Sequence, residues 1–294
     1  MKTVNFSGYE CYTLENNELR LLVTRSIGPR IISFGFTGGD NLFAELPDFV
    51  TECPGTGVFH FYCGHRLWHA PEEPARTYFP DDSPVDILAL ENGLRATQQT
   101  EPKTGLQKSI GIQLAADSAR VVVTHHITNH GLWDVTCAPW AITQFKTGGT
   151  AIFPQIRKDT GVLPNRNLTL WPYTDMTSPN VHWGSNYILV QANMKSAFKI
   201  GFPNPRGWQA YWLNESLFVK HADYNTQAEY YDFGSSSESY CNDQFIELET
   251  LAPITSIAPG ESATHVETWE LYKDIDRPQN ENDAQALVEK LGLA

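Results

Sequence analysis

The chain has 294 residues, 41% hydrophobic and 12% aromatic, with a formal net charge of −13. That charge repels a phosphate backbone or an anionic membrane, and no Lys/Arg cluster offers a local exception, so neither nucleic acid nor membrane is an expected partner. The cysteines Cys11, Cys53, Cys63, Cys137 and Cys241 are odd in number and form no CxxC pair, which argues against a disulfide framework or a zinc site and for a reducing, cytoplasmic compartment.

Residues 1–10 carry no apolar signal core, and nowhere does the chain run eighteen apolar residues without a charge, so a soluble, unexported protein is expected. Strand signals then dominate. β-branched or aromatic runs at 19–24, 30–34, 109–114, 120–128, 134–145, 187–192, 197–202, 217–221, 244–250 and 264–271 are separated by Gly, Pro, Asn and Asp. Ten such runs without intervening helical periods predict an all-β chain, a large antiparallel β-sandwich forming a single domain over 1–294. The one helical pattern lies at the end, with Asn282 as the expected cap of 283–291 and Gly292 as its stop.

The stretch 53–84 shows little strand pattern, and a loop of that length in a compact domain is usually functional. Within it, Cys63-Gly64-His65-Arg66-Leu67-Trp68-His69-Ala70-Pro71-Glu72 packs two imidazoles, a guanidinium, an indole and a carboxylate between a glycine and a proline. Such a loop suits a polyol, because sugars present hydroxyls at the rim and C–H bonds on the face. His65 and His69 share a side whether the segment is extended or helical. Metal ligation by them is a minor alternative, since no Glu stands at position 66 and no third ligand is assigned; neither a metal nor a cofactor is expected.

Further along, Trp140 in the run 134–145 is either a stacking platform or an ordinary core residue. Lys220, ending an apolar run, and Asp232, after two tyrosines, are polar groups in aromatic company that could reach sugar hydroxyls or simply face solvent. In Phe245-Ile246-Glu247-Leu248-Glu249-Thr250, strand alternation puts Glu247 and Glu249 on one side, roughly 6–7 Å apart. Two carboxylates that close, if partly desolvated, raise one another's pKa and suit a general base, the plain alternative being a solvated strand face. There is no G-x-S-x-G elbow, P-loop or dinucleotide fingerprint.

The order of the 63–72 motif, then Ala138-Pro139-Trp140-Ala141-Ile142-Thr143, then 245–253, with a late Pro259-Gly260 and His265-Val266-Glu267-Thr268-Trp269, resembles an uncharacterised bacterial family within the galactose mutarotase-like superfamily. The resemblance spans nearly the whole chain. It implies a twisted β-sandwich with a sugar lying in a cleft on one sheet. By the same resemblance Glu249 is the base that takes the anomeric proton and Arg66 binds sugar hydroxyls. The strand histidine that serves those epimerases as acid is missing, and Trp140 stands in or beside its place.

The expected activity is therefore that of an aldose 1-epimerase-like isomerase acting by general acid–base catalysis. Glu249 would be the base and His65 or His69 the acid. Arg66, Trp68, Glu72, Trp140, Lys220, Asp232 and Glu247 would hold the ring. A sugar-binding or sensing protein without the acid is the alternative, and a carboxylate-pair glycoside-cleaving enzyme a remoter one. The expected partner is a small-molecule saccharide, with a homodimer left open.

Overall fold

The computed structural model describes residues 2–293. In chain order its strands are β1 (Lys2–Phe6), β2 (Tyr9–Glu15), β3 (Leu19–Thr24), β4 (Ile31–Phe36), β5 (Leu46–Cys53), β6 (Gly57–Tyr62), β7 (Gly64–Ala70), β8 (Asp86–Leu90), β9 (Gly93–Thr97), β10 (Leu106–Leu114), β11 (Arg120–Asn129) and β12 (Val135–Lys146). They continue with β13 (Thr150–Pro154), β14 (Thr169–Leu170), β15 (Val181–Trp183), β16 (Tyr187–Gln191), β17 (Phe198–Phe202), β18 (Trp208–Leu213), β19 (Ser216–Ala222), β20 (Ser237–Cys241), β21 (Phe245–Leu251), β22 (Thr255–Ile257) and β23 (Ser262–Tyr272). Two short helical turns, α1 (Pro74–Thr77) and α2 (Tyr231–Gly234), precede the longer α3 (Glu281–Leu291).

These strands make two large antiparallel sheets. The first runs β1-β2-β3-β4-β7-β12-β21-β20-β17-β14, with β22 alongside β12; the second runs β15-β16-β13-β18-β19-β23-β11-β10-β9-β8; β5 and β6 form a separate hairpin. The sheets pack face to face over an aromatic centre, where Phe34 meets Phe218 and Trp269 edge to face at 5.6 Å and Phe43 meets Trp269 at 6.0 Å. All five cysteines are free and buried. Among the described residues no helix is long and apolar enough to cross a membrane.

The periodicity of each strand follows from what covers it. β11 turns Val121, Val123, His125 and Ile127 inward between more exposed residues, the pattern of a sheet with one wet face. β7 and β12 lie mid-sheet and are covered on both faces, so β7 is buried throughout. The expected strand runs all fall on observed strands, but the 53–84 stretch is not one loop. It contains β6, β7 and α1, and the chemically dense 64–70 segment is a central strand. Burial on two faces replaces the expected alternation with a mixture of polar and aromatic residues, which reads as irregular. Gly64 is required there: its φ is +80° and a Cβ would stand 2.3 Å from the Ile31 carbonyl oxygen on β4.

The C-terminal helix starts earlier than expected. Asn280, not Asn282, is the cap, its side-chain oxygen accepting from the backbone N–H groups of Asn282 and Asp283 at 2.9 and 3.1 Å. Gly292 ends the helix in the left-handed conformation. Ala284 and Val288 then dock on Tyr187 and Trp208 at the outer face of the second sheet.

Candidate functional site

The outer face of the first sheet carries a cleft over β7, β12 and β21, a hollow of about 180 Å³. Phe49 and Phe61 of the β5–β6 hairpin wall one side with Tyr78 beyond α1, and Tyr173, Lys199 and Tyr240 wall the other. Strand register sets the floor. Trp68 lies opposite Trp140; Arg66 lies opposite Ile142, which lies opposite Glu249; Gln144 lies opposite Glu247. Glu249 in turn lies opposite Glu238. A period of two places Arg66 and Trp68, then Trp140, Ile142 and Gln144, then Phe245, Glu247 and Glu249 on this one face.

Arg66 is fixed from several directions. Its Nη1 donates to Gln144 Oε1 at 2.6 Å, its Nη2 pairs with Glu247 Oε1 at 3.2 Å, and its guanidinium lies 4.3 Å from the Trp68 ring centroid. Glu247 keeps 7% of its surface and lines the cleft. Burial, reinforced by the neighbouring Glu249 charge and opposed by Arg66, raises its pKa to about 7. At the rim, the Tyr78 hydroxyl donates to Glu72 Oε1 at 2.5 Å, and both residues line the cleft.

Glu249 faces the same way but is fully buried and does not line the cleft. The Trp140 indole N–H donates to its Oε2 at 2.8 Å, and Lys199 Nζ sits 3.1 Å from the same oxygen and 2.8 Å from Glu238 Oε2. Lys199 Nζ also lies 4.7 Å from the ring centroids of both Trp140 and Trp171. Burial opposes the lysine's charge, yet Glu238 and Glu249 hold its pKa well above the ordinary value. Glu238, buried and close to Glu249, is pushed well above the carboxylate range despite Lys199.

The two histidines expected to supply the acid lie elsewhere. Alternation along β7 turns His65 and His69 to the layer between the sheets, so neither lines the cleft. His65 Nε2 is 2.7 Å from His125 Nε2, His65 Nδ1 is 2.8 Å from Thr143 Oγ1, and His125 Nδ1 is 3.0 Å from the His265 carbonyl oxygen. A carbonyl only accepts, so His125 carries its proton on Nδ1; His65 then donates from Nε2 and accepts from the Thr143 hydroxyl. His265 Nε2 is 2.7 Å from Thr250 Oγ1, whose hydroxyl donates to Glu267 Oε1 at 2.5 Å.

Burial lowers the pKa of His65 well below 6.5 and that of His125 to about 4, which favours the uncharged rings that this bonding pattern uses. His65, His125 and Glu267 are grouped closely enough to share an ion. Their ligand atoms are already engaged with one another, with Thr250 and with Lys220 Nζ, 3.0 Å from Glu267 Oε1. His69 has no hydrogen-bond partner for either ring nitrogen among the protein groups, and its pKa is lowered well below 6.5, chiefly by burial.

Two further expected residues do not reach the cleft. β19 belongs to the second sheet, so Lys220 points into the inter-sheet layer, pairing with Glu267 and donating to the Leu248 carbonyl oxygen at 3.0 Å. Asp232 sits in the α2 turn at φ +50°, where its backbone carbonyl accepts from Thr169 and Ser235, and it does not line the cleft. Conversely, Phe49, Phe61, Tyr78, Tyr173, Lys199 and Tyr240 line the cleft without having been expected there. Lys199 had a legible signal: a lone cation within Phe198–Phe202 needs a buried counter-charge. Among the described residues no histidine lines the cleft.

No protein-family model and no curated protein matches the sequence. The three-dimensional structure does find counterparts. A galactose mutarotase-like protein from Lactobacillus casei superposes with a TM-score of 0.59 at 12% identity, covering 89% of this chain and 100% of that one. A candidate aldose 1-epimerase from Klebsiella pneumoniae gives 0.60 at 11% identity over 99% and 85% of the two chains. One from Escherichia coli K12 gives 0.55 at 13% over 90% and 99%. At such identities the likeness establishes the fold.

Proposed function

With the galactose mutarotase-like fold as premise, we propose that the cleft on the first sheet binds the ring of an uncharged aldose and speeds the exchange of its anomers by proton transfer. One observation carries this reading: an indole pair, Trp68 and Trp140, adjoins the Arg66–Glu247 ion pair within a single hollow. A flat apolar face beside a fixed donor and acceptor matches the two-sided chemistry of a sugar ring. Arg66 donates to sugar hydroxyls, Trp68 and Trp140 take the ring face, and Glu72 with Tyr78 serves the rim. The cations of the cleft argue for an uncharged ligand, because Arg66 is paired with Glu247, and Lys199 with Glu238 and Glu249.

The test is magnetisation exchange between α and β anomers for a panel of free aldoses, with and without protein. Acceleration for at least one sugar supports the reading, and no acceleration together with no binding removes it. A second reading, sugar binding without catalysis, is favoured by the engagement of Glu249 with Trp140 and Lys199 and by the lack of a cleft histidine among the described residues. A saccharide-induced thermal shift with unchanged anomer exchange would select it.

A further inference from the structure

Resting on the catalytic reading above, we propose that Glu247, and not the motif-matched Glu249, exchanges the proton with the anomeric hydroxyl of the bound sugar. The two carboxylates share a strand and a face, but only one of them lines the hollow. Glu249 is walled off by the Trp140 indole, which donates to it, and by the Lys199 ammonium, which bridges it to Glu238 beneath two indole rings. A carboxylate at full burial, with one oxygen held by two fixed donors and neither open to the hollow, has no path to substrate.

Glu247 has the opposite surroundings. It lies against Arg66, which Gln144 and Trp68 hold in place, so the carboxylate is oriented while part of its surface stays open to the cleft. Its pKa near 7 supports the role, because a base is most effective when it titrates near working pH. In the step, the Glu247 carboxylate takes the O1 proton as C1=O1 forms and the C1–O5 bond breaks. The electron pair stays on O5, which takes a proton from solvent water at the open side of the cleft. Reclosure on the other face of C1 reverses both transfers. Glu249, with Lys199 and Trp140, acts as a positioning group beneath.

The experiment is the pH dependence of anomer exchange, with sugar binding read separately by calorimetry, for the wild type, E247Q, E247D and E249Q. The wild type should show a rate rising about tenfold per pH unit up to a plateau, with its bend near the Glu247 pKa. E247Q should bind sugar but lose the rise and about 10²- to 10⁴-fold of the plateau rate, E247D should keep a displaced bend, and E249Q should keep the rise with its bend moved to lower pH, because the Glu249 charge no longer raises the Glu247 pKa. Retention of the rise by E247Q, or its loss in E249Q alone, overturns the proposal. If E249Q does not fold, the Glu247 pair decides by itself. A wild type that binds sugar without accelerating exchange overturns both this inference and the catalytic reading, and one that binds no sugar overturns the whole reading of the cleft.

Discussion

The indole N–H of Trp140 lies 2.8 Å from Glu249 Oε2, so the residue standing in place of an expected acid histidine holds the carboxylate expected to be the base. Replacing it tests whether that bond is structural. Trp140→Phe keeps an aromatic floor but removes one of the donors to a fully buried carboxylate, a loss of about 1–3 kcal/mol in chemical denaturation. A change below about 0.5 kcal/mol would show that the bond contributes little.

Lys199 is the stronger member of the same group. Lys199→Met leaves Glu238 and Glu249 buried without a cation, and stability should fall by about 3–5 kcal/mol. Adding Glu238→Gln and Glu249→Gln to Lys199→Met should recover part of the loss, since neutral amides cost less to bury than unpaired charges. Equal melting temperatures for the single and triple variants would contradict this.

Stability should decline on the acid side of neutrality. Burial lowers the pKa of His125 to about 4 and of His265 to about 3, and holds those of His65 and His69 well below 6.5. A depressed folded-state pKa means that the unfolded chain binds protons first. The stabilisation is complete above 6.5 and is lost as pH falls from there toward the folded-state values, by up to about 1.4 kcal/mol per pH unit for each histidine. Glu247 and Glu238, whose pKa values are raised by burial, act in the opposite sense above the ordinary carboxylate range but are fewer. Urea midpoints at pH 7.5 and 5.0 check the sign, and a higher midpoint at 5.0 would be the contrary result.

Ligand charge gives another test. An uncharged aldose at 100 times its Kd should stabilise the protein by about 2.7 kcal/mol, while its 6-phosphate, meeting no uncommitted cation in the cleft, should give a much smaller thermal shift. A larger shift with the phosphate would mean that Arg66 or Lys199 leaves its carboxylate partner for the ligand.

Where the sequence was legible, one physical rule operated alone. The strand 245–250 shows its pair of carboxylates on one face because period-two alternation holds along a regular strand, whatever its neighbours. The ten β-branched runs were equally plain. The 64–70 strand was not, because a segment buried on both faces between a polar cleft and a polar inter-sheet layer mimics a loop. The same alternation, once the segment is known to be extended, separates Arg66 and Trp68 from His65 and His69. The cleft walls were hidden for a different reason. Phe49 of the β5–β6 hairpin, Tyr173 of a turn and Tyr240 of β20 come from distant parts of the chain and meet only through the tertiary fold, which no local pattern encodes.

The most direct test of the account is a crystal soaked with a mixture of uncharged monosaccharides. We expect a ring lying against Trp68 and Trp140, a hydroxyl bonded to Arg66, and the anomeric oxygen within about 3.2 Å of a Glu247 carboxylate oxygen. A sugar bound outside this cleft, or bound within it with its anomeric carbon turned toward the Phe49 and Phe61 wall, would contradict the account.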